Sequence, residues 1–147
     1  MSVTRIAITM SFIAGLAGAA QASVSGALGK RVGSVQAASF GAIVAAVLLV
    51  SLALLTGRGS GIGDVLRQPA WLMISGVLGA GIVLTLAYAP QRIGTFAAVA
   101  LMIAGQLIAG AAIDAFGWLG TERIPITVTR AVGLVLVGAG ALLSLRR

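Results

Sequence analysis

The stretch VQAASFGAIVAAVLLVSLALL, Val35–Leu55, decides the fold class. Over its 21 residues it holds no Asp, Glu, Lys or Arg. A bilayer hydrocarbon core about 30 Å thick is crossed by roughly 20 apolar residues rising about 1.5 Å each, so this stretch predicts a transmembrane helix. Outward from it the pattern repeats. Ile6–Leu28 precedes it, while Ala70–Ala89, Thr95–Ala115 and a segment with an unusual entry, about Pro125–Leu145, follow it. Gly29-Lys30-Arg31-Val32-Gly33 and Pro90-Gln91-Arg92-Ile93-Gly94 read as tight turns, each carrying breakers and a cation. Each is followed by a residue suited to N-capping, Ser34 or Thr95, and each is short enough to force an antiparallel hairpin. Gly57, Gly59, Gly61 and Gly63, with Asp64, Arg67 and Pro69, make the longest polar connection. The expected architecture is an all-α integral membrane protein. It forms a single transmembrane domain over residues 1–147, with five helices at about 6–28, 35–55, 70–89, 95–115 and 125–145.

Composition agrees with the spans. The chain is 59% hydrophobic and 9% charged, far from the usage of water-soluble domains. It has no Cys and no His, which removes disulfides, thiolate nucleophiles, the usual zinc sites and imidazole acid/base chemistry together. No cofactor and no enzymatic activity are expected. The net charge of +7 would point to nucleic acid in a soluble chain, but the ten basic residues punctuate apolar runs and form no patch. They read as anchors of helix ends at lipid headgroups, and the expected environment is the bilayer, with no nucleic-acid partner.

The first span has a rival reading. Arg5, the apolar run after it and Ala20-Gln21-Ala22 before Ser23 have the layout of a secretory signal peptide with a small-residue cleavage site. The apolar character continues past that point to Leu28, a full spanning length, so retention as a helix is expected. Small residues recur at four-residue spacing, as at Gly18, Ala22 and Gly26 and at Gly76 and Ala80. Such faces let helix backbones approach closely where apolar burial drives little association.

With five spans the termini lie on opposite sides, and the cations divide evenly. Arg5, Arg58, Arg67, Arg123 and Arg130 fall on the N-terminal side, against Lys30, Arg31, Arg92, Arg146 and Arg147 on the other. If Arg130 sits in the membrane, the balance is four against five. Lys/Arg bias is the main determinant of orientation, so a chain without it is expected to insert both ways up. Two opposed copies would give a ten-helix inverted dimer, the layout of many secondary transporters.

Polar side chains at membrane depth are the default site candidates. Gln21 lies about 6 Å from the middle of its span and Gln106 almost at the middle of its own. Each amide suits either a polar solute or another helix. Ser23, Ser25, Ser39, Thr85 and Tyr88 could line the same cavity, although Ser and Thr also bond their own helix backbone. Asp114, at the end of the fourth span, and Arg130, more than a turn into the fifth, are expected to meet as a structural ion pair across one hairpin. Trp71 and Trp118 fall on that same side as interfacial anchors. No carboxylate stands mid-helix, which favours a neutral, zwitterionic or anionic solute over cation/proton exchange.

These residues resemble the YdcZ-like five-helix family of the drug/metabolite transporter superfamily. The match runs through Gln21, Leu28-Gly29, Ser39-Phe40, Trp71, Gly76, Gly79 and Pro90-Gln91-Arg92-Ile93-Gly94. It continues with Gly105-Gln106, Asp114, Phe116-Gly117, Arg130 and Gly133. Ser25 departs from the pattern, standing where the family leads one to expect Asn four residues after Gln21. The resemblance implies a half-transporter in a prokaryotic inner (plasma) membrane, paired with an identical or sister copy. The expected function is small-solute secondary transport by alternating access in a dual-topology antiparallel homodimer. Gln21, Ser25, Phe40, Tyr88 and Gln106 form the candidate solute-binding set. The alternatives are a non-transporting membrane scaffold or partner subunit, whose glutamines only hold helices together, and one half of an obligate heterodimer.

Overall fold

The computed structural model describes residues 3–59 and 61–146. Its long elements are α-helices: α1 (Val3–Val32), α2 (Ser34–Leu55), the short α3 (Gly61–Val65), α4 (Ile74–Ile93), α5 (Thr95–Phe116) and α6 (Val128–Leu143). A 3₁₀ turn, Ala70–Met73, leads into α4, and another, Trp118–Gly120, follows α5. Among the described residues four helical segments, Val3–Val32, Ser34–Leu55, Ala70–Ile93 and Thr95–Phe116, are long and apolar enough to cross a membrane. The helix α6, at 16 residues, is a shorter apolar element.

The two expected tight turns are far tighter than their sequences imply. Gly29–Val32 is the last turn of α1 and Pro90–Ile93 the last turn of α4, so one residue, Gly33 or Gly94, separates each pair of helices. Both glycines have positive φ with extended ψ, at φ 100°, ψ 146° and φ 85°, ψ 156°. That region is essentially closed to residues with a Cβ. The expected N-caps are corrected by the same fact: Ser34 and Thr95 are first helical residues, and the glycines cap without a side-chain bond. Lys30 and Arg31 close α1 and Arg92 closes α4, where cations complement the helix dipole.

The last helix also starts later than its pattern predicts, at Val128 and not at Pro125. Thr127, extended at φ −83°, ψ 159°, caps the helix there, its side chain accepting from Arg130 N–H. The glycine-rich connection after α2 contains α3, beside which Arg67 Nη1 meets Asp64 Oδ1 at 3.3 Å in the open.

The chain divides into two compact units, Met1–Arg92 and Ile93–Arg147. In the first, Ala37, Ala38 and Ala87 form the buried cluster, with Leu28 and Val83 packed against it. The α1 face with Ala22, Gly26 and Gly29 is buried, and a Cβ on Gly26 would stand 2.9 Å from Pro90 Cβ. In the second unit α5 packs on α6. The buried apolar residues are almost all alanine, whereas Leu, Val, Ile and Phe face outward along each long helix. A soluble domain of this size would bury its large apolar side chains. Small residues inside and large ones outside is the arrangement of helices packed in lipid.

Candidate functional site

The end of α5 is tied down by the chain that follows it. The last carbonyls of a helix have no partner within it. Here Gly117, left-handed at φ 65°, donates its N–H to the Ile113 carbonyl, and Ile124 N–H donates to the Asp114 carbonyl at 2.8 Å. The Arg123 guanidinium Nε donates to the Ala115 carbonyl at 3.0 Å. Thr127 then starts α6, its hydroxyl oxygen accepting from Arg130 N–H at 3.3 Å. Arg130 is thereby placed to reach back, and its Nη1 donates to Asp114 Oδ2 at 3.3 Å. The expected ion pair therefore forms, with both side chains partly accessible at 46% and 35%.

Between α5 and α6 lies a groove of about 430 Å³. Gln106, Leu107, Gly110, Ala111 and Asp114 line it from α5, and Arg130, Gly133, Leu134 and Val137 from α6. Positions 106, 110 and 114 repeat every four residues and so share one helix face. At about 1.5 Å per residue, Gln106 lies roughly 12 Å along α5 from Asp114. The groove thus carries a charged pair near the helix end and an amide at mid-helix. A Cβ on Gly110 or Gly133 would meet nothing within 4 Å, so these glycines leave open space where larger side chains would narrow the groove.

The remaining candidates lie in the first unit. Gln21 and Ser25 are one turn apart on α1, beside the buried Ala22 and Gly26; Gln21 is exposed and Ser25 half-buried. Phe40 is exposed on α2. Tyr88 on α4 has the Arg92 guanidinium 5.3 Å from its ring centroid, a cation–π contact within its own helix. Thr85 bonds its own backbone, donating to the Gly81 carbonyl at 2.8 Å. Of the site residues expected from sequence, the structure brings together Gln106, Asp114 and Arg130. Trp118 stacks on Phe116 with centroids 4.8 Å apart, and Trp71 stands half-exposed in the turn before α4.

Gln91, expected in a turn, lies in the last turns of α4. Its Nε2 donates to Ser34 Oγ at 3.0 Å and to the Ala87 carbonyl, and the same amide lies against Gly29. It joins α1, α2 and α4. Pro90 inside α4 has no N–H, so the Leu86 carbonyl one turn back loses its helix donor, while the Gln91 side chain bonds the next carbonyl along, that of Ala87.

Helices of spanning length with apolar side chains turned outward, one of which forms with the shorter α6 a groove carrying an amide and an ion pair, define a multi-pass membrane protein. The model of the family described as "Putative inner membrane exporter, YdcZ" matches residues 6–143, and the chain belongs to that family. It is accordingly a multi-pass protein of the inner membrane. No curated protein and no solved structure matches the chain.

Proposed function

We propose that the protein is a small-solute secondary transporter in which all five long helices cross the membrane and two oppositely oriented copies alternate access to a shared polar site. The observation that carries this reading is the α5–α6 groove, which runs from the Asp114–Arg130 pair to Gln106 at mid-helix. Polar groups at that depth are expensive in lipid and mark solute or ion pathways by default. In the first unit Gln21, similarly near the middle of its helix, and Ser25, Phe40 and Tyr88 are the further proposed solute contacts. The family's description as an exporter supports outward movement of the solute.

The fifth crossing needs more than α6. Sixteen residues rise about 24 Å, and the non-helical residues 124–127 supply the remainder of a core about 30 Å thick. Its backbone groups must then be satisfied, and the bond from Ile124 N–H to the Asp114 carbonyl supplies part of that.

The test is Gln106→Leu in reconstituted vesicles. Loss of solute flux with dimer assembly intact is the expected result. Loss of assembly instead would assign Gln106 to holding helices together and favour a scaffold.

A further inference from the structure

Two opposite charges at one end of the α5–α6 groove constrain what the groove can accept. A carboxylate accepts through two oxygens and a guanidinium donates five N–H groups. The Asp114–Arg130 contact engages one oxygen and one nitrogen, at 3.3 Å, and both side chains remain partly accessible. Ion pairs this exposed hold weakly, so each group can take a second partner or exchange the first.

Charge balance then discriminates among solutes. A bound cation would gain Asp114 and leave Arg130 without its counter-charge. A bound anion would do the reverse. A neutral solute would hydrogen-bond to the two groups but bring no counter-charge to either. A molecule bearing an ammonium next to a carboxylate can lie antiparallel on the pair, its ammonium on Asp114 and its carboxylate on Arg130, so that all four charges stay partnered and the site stays neutral. Away from the pair the lining is apolar, with Leu107, Leu134 and Val137, and the space beside Gly110 and Gly133 is open. The volume of about 430 Å³ falls within the range of small-molecule sites, about 300–1,000 Å³.

We propose that Asp114 and Arg130, beyond tying α5 to α6, form the head-group site for a small zwitterion of the α-amino acid type, whose apolar body runs along the groove toward Gln106. The chemistry rests on the groove, and the fate of the bound solute rests on the transporter reading above. An ammonium beside an oxyanion is also the headgroup of phosphatidylethanolamine, so the test separates a free solute from a lipid.

The full chain is placed in nanodiscs of phosphatidylglycerol, and binding of norleucine, hexanoate and pentylamine is titrated. Norleucine is expected to bind at least about tenfold more tightly than the other two, the scale of one charge-assisted contact. Asp114→Asn should weaken norleucine by a similar factor and make hexanoate the preferred ligand, and Arg130→Gln should make pentylamine preferred. The swap Asp114→Arg/Arg130→Asp should restore norleucine, which separates loss of charge from loss of fold. Adding phosphatidylethanolamine to the nanodiscs displaces norleucine if the lipid is the natural occupant and leaves it bound if a free solute is; either supports the zwitterion site. Equal binding of the three probes, no norleucine binding, or single variants that keep the wild-type ranking would overturn it. Norleucine that binds but does not cross proteoliposomes would count against transport and leave the site standing. Flux of another solute, unaffected by Asp114→Asn and Arg130→Gln, would sink the site and leave transport standing.

Discussion

At Gly29 the Ala87 carbonyl oxygen lies 2.7 Å from where a Cβ would stand, and the Gln91 amide is also in the way. Backbone cannot yield as a flexible side chain does. Gly29→Ala is therefore expected to lower stability by about 1–3 kcal/mol, the usual range for overpacking. Gly18, on the same helix, has nothing within 4 Å of its own Cβ position, and Gly18→Ala should stay within about 0.5 kcal/mol of wild type. Thermal unfolding of the two variants in one detergent checks the pair, and equal midpoints would mean that α1 does not approach α4 as described. Gln91→Leu removes the donor to Ser34, with an expected loss of about 0.5–1.5 kcal/mol by the same assay.

At the scale of elements, helix ends carry the information. α2 and α5 each have 22 residues, and each begins at a single glycine of nearly the same conformation. Gly94→Ala puts a Cβ at φ 85° with extended ψ, which should cost about 1–3 kcal/mol without removing any contact. Lowered thermal stability with unchanged helix content by circular dichroism is the expected outcome. At the start of α6, Thr127→Ala removes the acceptor for Arg130 N–H and should cost about 0.5–2 kcal/mol, while Thr127→Ser should retain most of it. A serine variant as unstable as the alanine one would show that the methyl group, and not the cap, holds the helix start.

For the whole molecule the open matter is orientation. Arg146 closes the described chain, Arg147 of the even tally lies outside the described residues, and Arg130 is drawn to Asp114. For five crossings the tally is five against five, or four against five with Arg130 left out, so neither side holds a marked excess of cations. A C-terminal reporter active on each side of the membrane should therefore give signal on both, and signal from one side alone would refute dual insertion. Adding two Lys directly after Leu145 should shift the population toward the orientation with that end in the cytoplasm, by the same rule.

What the sequence by itself determined is the environment and the approximate helices. Runs such as Val35–Leu55 contain no charged side chain, and that is a property of composition and length. The ion pair was legible for a related reason: Asp114 and Arg130 are rare charges flanking one connection, so a short-range partner was available to each. Tertiary structure decided the rest. The single-residue breaks at Gly33 and Gly94 depend on backbone angles that a glycine permits but does not require. The late start of α6 reflects a loop whose N–H and guanidinium groups turn back to the α5 carbonyls, a pairing visible only in three dimensions. Gln91 looked like a turn residue because its partners, Ser34 and Gly29, lie 57 or more residues away, and only the packing of α1, α2 and α4 brings them within reach.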